Sequence, residues 1–247
     1  MTAERLDRRL VDLGLAPSRA RAQALIEAGA VTVAGVAAAK PGMRVGQDTP
    51  IEVGEDPCPW VSRAGLKLDH GLAHFSLTPQ GTALDLGAST GGFSEVLLAR
   101  GAARVHALDV GHAQLHPRLR ADPRVIVHER LNARALPDGL LPPLDWITAD
   151  LSFISLEKAL PGALALARPG AWLVALIKPQ FEAGPALVGK GGVVRDPGVH
   201  AAVCQSIAEF LAAQGWAVAG VTESPICGGD GNREFIVAAQ SPSTEHA

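Results

Sequence analysis

Four ionisable residues stand where an alternating chain of strands and helices would gather them. Asp150 follows the apolar run Trp146–Ala149, Lys178 follows Trp172–Ile177, and Glu234 precedes Phe235–Ala239. Lys67 lies in Ser62-Arg63-Ala64-Gly65-Leu66-Lys67-Leu68, a helical stretch ahead of the first run of the series. Residues that follow the strands of a parallel sheet project at its carboxyl edge, where ligands bind in such folds. Glu234 reaches that edge if the last strand runs antiparallel. Taken singly, each residue reads as an ordinary surface ion pair. Together, beside a Gly-rich turn, they read as a site. A neighbouring ammonium and burial both favour the neutral form of a lysine amine, and a neutral amine can take the proton of a hydroxyl.

The turn is Ala83-Leu84-Asp85-Leu86-Gly87-Ala88-Ser89-Thr90-Gly91-Gly92-Phe93. Its glycines let the backbone turn tightly and approach a nucleoside-sized ligand. The spacing is G-x-x-x-G-G, not the G-x-G-x-x-G of pyrophosphate binders. Asp85, just before Gly87, would repel a pyrophosphate but suits the ammonium of an amino-acid moiety or a bound water. Asp109 ends the next apolar run, where an acid can accept both hydroxyls of a ribose. This combination points to S-adenosylmethionine, held by Asp85, Gly87, Ala88, Ser89, Gly91, Gly92, Phe93, Asp109, Val110, Asn132 and Asp150, with no metal.

The acceptor is narrowed by what is missing. No Asn-Pro-Pro-aromatic element of amino-group methylation follows Ala149, and none of Cys58, Cys204 and Cys227 falls at a strand end, where covalent carbon methylation would need a thiol. Gly184-Pro185-Ala186-Leu187-Val188-Gly189-Lys190-Gly191 nearly matches a P-loop. It lacks the Ser or Thr that would hold Mg²⁺, and Pro185 stands where an amide should face phosphate, so it reads as a surface loop.

The elements that must position these residues form two styles. Residues 5–56 read as two helices, then short strands. Leu6, Leu10, Val11 and Leu13 share a face ended by Gly14; Ser18 caps a second helix with Ala22, Leu25 and Ile26 inward, closed by Gly29. Val31–Val33, an Ala34-Gly35 turn, Val45 and Ile51–Val53 read as a small sheet, and Pro57-Cys58-Pro59 as a stiff linker. From residue 60 the alternation predicts an α/β domain, with strands at Ala83–Leu86, Val105–Asp109, Val125–His128, Trp146–Ala149, Trp172–Ile177, Ala217–Val221 and Phe235–Ala239. One helix is delimited by Asp196 as N-cap, Pro197 at its first position and Gly215 after its end. The expected domains are therefore 1–58 and 59–247.

At 47% hydrophobic and 19% charged residues, the chain of 247 has ample material for a packed core and too little charge for a disordered one. No run approaches the roughly 18 apolar residues of a membrane span, and the start Met1-Thr2-Ala3-Glu4-Arg5 shows no secretory signal. Three scattered cysteines exclude a disulfide framework and fit a reducing cytoplasm. The net charge of −3 hides two basic regions, +3 over residues 1–45 and +4 over residues 100–134, which suit a shaped, phosphate-bearing partner.

These strings, in order, resemble the TlyA-type RNA methyltransferases within the FtsJ-like ribose 2′-O-methyltransferases. The likeness is carried by Trp60-Val61-Ser62-Arg63 with Lys67, the Asp85–Phe93 turn, Asp150-Leu151-Ser152-Phe153-Ile154-Ser155-Leu156, Lys178-Pro179-Gln180-Phe181-Glu182 and Asn232-Arg233-Glu234. The resemblance implies a Rossmann-like sheet with an antiparallel last strand, preceded by a small α+β module like that of ribosomal protein S-four. It implies a Lys-Asp-Lys-Glu tetrad of Lys67, Asp150, Lys178 and Glu234, with Lys178 as general base, and ribosomal RNA or a ribosomal subunit as partner. In the module Arg5, Arg8, Arg19, Arg21 and Lys40 would face RNA, joined by Arg63 and Arg134. A chain without Tyr favours shape and backbone recognition over a stacking platform. The expected molecule is a cytoplasmic monomer when free. Two other classes are weighed: a non-catalytic RNA-binding or ribosome assembly factor, which need not keep all four ionic residues, and a membrane-active haemolysin, a label some relatives carry but no amphipathic basic helix supports.

Overall fold

The computed structural model describes residues 3–16, 19–38, 40–54, 58–228 and 231–243. It divides into two compact units, Met1–Arg63 and Ala64–Ala247.

In the first unit β1 (Glu4–Arg5) leads into α1 (Leu6–Asp12), followed by α2 (Arg19–Glu27), β2 (Val31–Val33), β3 (Val36–Ala37), β4 (Arg44–Val45) and β5 (Ile51–Val53). Leu6, Leu10, Ala22, Leu25, Ile26, Val31, Val33 and Val45 form its core, as the spacing predicts. Leu13 departs from the expected stripe. The helix has ended there, with Gly14 at φ +70°, so Leu13 turns to solvent at 44% exposure. The expected cap Ser18 lies outside the described residues. Ala34 and Gly35 both take positive φ, +50° and +78°, the mirror-image turn whose twist matches a tight hairpin. The strand β1, paired antiparallel with β4, has no counterpart in the sequence reading.

The second unit begins with α3 (Ala64–His74) and β6 (Thr82–Leu86), then α4 (Gly92–Arg100), β7 (Arg104–Asp109), α5 (Pro117–Arg120), β8 (Val125–Glu129) and β9 (Leu144–Ala149). It continues through α6 (Leu156–Ala159), α7 (Pro161–Leu164), β10 (Ala167–Ile177), α8 (Pro179–Glu182), α9 (Pro197–Ala213), β11 (Ala217–Glu223) and β12 (Phe235–Gln240). The seven strands order as β11-β12-β10-β9-β6-β7-β8. All run parallel except β12, which is antiparallel to both its neighbours, as the resemblance implies.

Strands of a sheet covered on both faces are apolar throughout, and alternate residues serve opposite faces. Leu173, Ala175, Ile177, Val237 and Ala239 join Leu156, Leu160, Ile207 and Leu211 in one cluster under α6, α7 and α9. On the other face Gly71 of α3 lies so close to β12 and β10 that a Cβ there would sit 2.9 Å from Ile236 Cγ2 and 3.6 Å from Val174 Cγ1. The helix α9 starts as its sequence dictates, with the Asp196 side chain accepting from Gly198 N at 2.7 Å. Among the described residues no helix is long and apolar enough to cross a membrane.

Candidate active site

The close approach at Gly71 sets the position of Lys67, one helical turn earlier on the same face of α3. Its Nζ lies 2.6 Å from Glu234 Oε2, and both side chains are buried. Glu234 is itself held from both sides. Its carbonyl accepts from Ser224 N at 2.9 Å, and Gly228 lies so near that a Cβ there would be 2.3 Å from Oε1. Two residues earlier, the buried Asn232 accepts from Val194 N and donates to Gly192 O, each at 3.0 Å, which anchors the Gly-rich loop 184–192 at its base.

The register of β10 against β12 pairs Ile177 with Phe235, so Lys178 and Glu234 occupy the next positions outward on adjacent strands. Lys178 Nζ is 2.6 Å from Asp150 Oδ1 and donates to Ser152 Oγ at 3.1 Å. Its approach to Asp150 is an ion pair. Asp150 in turn is tied to the first strand, its N–H donating to Leu86 O at 2.9 Å. The four ionic residues thus stand as two close pairs, Lys67 with Glu234 and Lys178 with Asp150, at neighbouring strand ends.

The turn after β6 lies beside Asp150. Gly87, at φ +82°, has its α-carbon against the Asp150 carbonyl, where a Cβ would be 2.4 Å from the oxygen. Ser89 N and Gly111 N donate to Asp109 Oδ2 and Oδ1 at 2.8 and 2.6 Å. A carboxylate offers about four acceptor positions, so each oxygen keeps capacity for a ligand hydroxyl. A shallow pocket opens here, lined by Ala88, Ser89, Asp109, Gly111, Leu115 and Glu129. Val110 is 72% exposed beside it. Asn132 is exposed after β8, its side chain accepting from Arg134 N at 3.0 Å, while Leu131 N ties that segment to Asp109 O.

Asp85, Gly91, Gly92 and Phe93 are buried and shape the turn from beneath. Asp85 accepts from Ser94 Oγ at 2.6 Å and from Thr148 Oγ1 at 3.3 Å. Burial pushes its carboxyl up to about 7, with the Asp150 charge adding to the rise and the Ser94 and Thr148 hydrogen bonds opposing it.

Of the residues expected at RNA, Arg5 and Arg19 both donate to the buried Asp7, at 2.9 and 3.1 Å, while exposing about half their surface. Gln23 Nε2 adds a third donor at 2.9 Å, and Arg5 foremost holds the Asp7 carboxyl well below the usual range. Arg8 and Lys40 are exposed, Arg21 and Arg63 half-buried. The basic region 100–134 is more nearly neutral than its composition suggests, because Arg100 and Arg118 pair with Asp69 and Glu95 from outside it, while Arg120 and Arg124 pair with Glu129 and Asp122 within it. Arg130 and Arg134 remain exposed.

Sequence reasoning assigned nothing to Phe153 and Glu182 individually. Phe153 is 91% exposed with φ +65°, and its ring packs on Phe181 at 5.0 Å between centroids. A bulky residue in that backbone region is strained, costing about 1–3 kcal/mol. The visible signal was an apolar residue in a polar loop directly after Asp150. Glu182 carries no such signal.

A Gly-rich turn after the first strand of the sheet, an acid ending the second, and an antiparallel last strand between β10 and β11 make this a methyltransferase sheet. A family model described as FtsJ-like methyltransferase matches residues 60–241, and one described as S4 domain matches residues 4–51. The chain is 47% identical to the 16S/23S rRNA (cytidine-2'-O)-methyltransferase TlyA of Mycobacterium tuberculosis, over 94% of this chain and 88% of that protein. It is 38% identical to Hemolysin A of Brachyspira hyodysenteriae, over 94% of this chain and 98% of that protein. A solved structure of a provisionally named hemolysin from Streptococcus thermophilus superposes with a TM-score of 0.77 at 37% identity, covering 100% of this chain and 92% of that one. The chain belongs to the FtsJ-like methyltransferase family and carries an S4 domain ahead of the methyltransferase domain.

Proposed function

We propose that this protein transfers a methyl group from S-adenosylmethionine to a ribose 2′-hydroxyl of ribosomal RNA. The observation that carries the reading is the pair of buried Lys–carboxylate contacts at neighbouring strand ends, beside the turn that joins Gly87 to Asp150. The name of the Mycobacterium tuberculosis relative supports the same acceptor.

The residues fit the methyl donor. Gly87 lets the turn close onto the Asp150 carbonyl, where a Cβ would be 2.4 Å from the oxygen, Ser89 and Gly111 orient Asp109 toward a ribose, and exposed Val110 offers an apolar surface for a base. Ala88 and Asn132 complete the rim, with Asp85 setting the turn from below. Bound there, the donor supplies an electrophilic methyl on a sulfonium. Lys178 takes the proton of the 2′-hydroxyl as the oxygen–methyl bond forms and the methyl–sulfur bond breaks, and Asp150 stabilises the ammonium that results. The Lys67–Glu234 pair fixes β12 and α3 beside it and completes the tetrad. Phe153 presents an aromatic face to the base of the acceptor nucleotide, since stacking is worth about 1–3 kcal/mol per base.

Residues 1–58 act as the RNA-binding module and 59–247 as the catalytic domain. Arg8 and Lys40 meet phosphates directly, and Asp7 holds Arg5 and Arg19 at fixed spacing for the same task. The deciding experiment maps labelled methyl groups in ribosomal RNA treated with protein and cofactor. Lys178→Ala is expected to abolish transfer with cofactor affinity nearly intact; undiminished turnover removes Lys178 as base.

A further inference from the structure

Two segments leave the carboxyl edge side by side, residues 150–156 after β9 and residues 178–182 after β10. The near end of this pairing is the Lys178–Asp150 contact at 2.6 Å and the Lys178–Ser152 hydrogen bond at 3.1 Å. In the middle, Phe181 packs on Phe153. The far end is closed by Glu182, whose Oε1 accepts from Leu156 N at 2.9 Å. Leu156 is the first residue of α6, and the N-cap residue Ser155 makes no side-chain capping bond. Glu182 therefore caps α6 from a different element, a task that normally falls to the residue before the helix.

Between those two ends lies the strained Phe153 at φ +65°. Such a conformation persists only where its surroundings over-determine it. With the far anchor cut, the loop can relax, and Ser152 and Phe153 move with it. We propose that Glu182 is a positioning residue for the acceptor side of the site, holding Ser152 and Phe153 in place through Leu156 so that the Lys178 amine meets the ribose hydroxyl in line. This rests on the ribose-methylation reading above. The position needs an acceptor oxygen rather than a charge. Glu182 is half-buried, and burial, with Glu157 nearby, pushes its carboxyl up to about 7, against the Leu156 hydrogen bond.

The test compares Glu182→Met and Glu182→Gln, of similar length, with the wild-type full chain and Lys178→Ala. Turnover and KM are measured on ribosomal RNA, cofactor affinity by calorimetry, and folding by thermal melts. Glu182→Met is expected to lose about 100-fold in kcat, the scale of a 1 Å misplacement of reacting groups. Its KM for RNA should rise less, by about tenfold at most, because Phe153 stacking is one of many contacts that hold the RNA while the loss of in-line geometry falls on kcat. Cofactor affinity should not change, and Glu182→Gln should restore turnover. Should Glu182→Met fail to fold, Glu182→Asp replaces it: one methylene too short to reach Leu156 N, it must lose kcat while Glu182→Gln matches wild type. Wild-type turnover in Glu182→Met, or Glu182→Gln as impaired as Glu182→Met, overturns the proposal alone. Absence of ribose methylation by the wild-type chain overturns the functional reading and this proposal with it.

Discussion

Lys67 and Glu234 offer a way to separate what an ion pair does for stability from what it does for chemistry. The pair spans α3 and β12, its atoms are 2.6 Å apart, and the residues are 8% and 3% exposed. Removing one partner leaves a buried charge uncompensated, at a cost of about 3–5 kcal/mol. Replacing both by apolar side chains of similar volume is often neutral or stabilising, because neither charge then has to be desolvated. Lys67→Met and Glu234→Met should each lower the unfolding free energy by about 3–5 kcal/mol, while the double variant should come back to within about 1–2 kcal/mol of wild type. Urea titrations of the full chain measure this, followed by tryptophan fluorescence; Trp146, Trp172 and Trp216 all lie in the second unit. Methyl transfer should be lost in all three variants. A double variant as unstable as the two singles combined refutes the desolvation argument. A stable double variant that still methylates RNA refutes the assignment of the pair to catalysis.

Gly87→Ala forces a side chain into left-handed backbone 2.4 Å from the Asp150 carbonyl, which should weaken S-adenosylmethionine binding about tenfold or more, the equivalent of the 1–2 kcal/mol such a conformation costs. Calorimetry checks it, and an unchanged dissociation constant counts against the role of the turn. Asp85 adds a pH dependence. Its carboxyl is raised from 3.8 to about 7 in the folded chain, so between those values the folded state holds more protons than the unfolded one, and stability falls as pH rises. Glu182, raised likewise, and His106, lowered to about 4 by burial, add slopes of opposite sign to both chains, so the test is the difference. Thermal melts should show the wild type losing stability relative to Asp85→Asn as pH rises across that window, and equal slopes for the two chains would remove Asp85 as the cause.

The catalytic half was legible because its signals are local. A parallel sheet under helices demands continuous apolar runs, so each strand announced itself, and the charged residue that breaks a run marks the carboxyl edge. Asp196, Pro197 and Gly215 delimited α9 by side-chain chemistry that acts within a turn. What the residues hid is non-local. Nothing near Asp7 in sequence says that it lies buried beneath Arg5 and Arg19, so both arginines read as free contacts for phosphate. The strand β1 is two residues long and pairs with β4 far along the chain, beyond the reach of any periodicity. The basic stretch 100–134 gives up two of its charges to acids from outside it, Asp69 and Glu95. Glu182 acts on an amide 26 positions away in the chain.

The reversed direction of β12 has a consequence for the order in which the protein is made. The strand slots between β10 and β11 rather than adding at a free edge, and it brings Glu234 to Lys67 across 167 residues of chain. During synthesis the N-terminal side is the first to fold. Lys67, Asp150 and Lys178 can all leave the ribosome and still form only part of a site. The final strand then joins β10 to β11 and brings Glu234 to Lys67. The cluster of ionic residues is thus completed last, and a chain cut short of Glu234 would keep the Gly87 turn without the partner of Lys67.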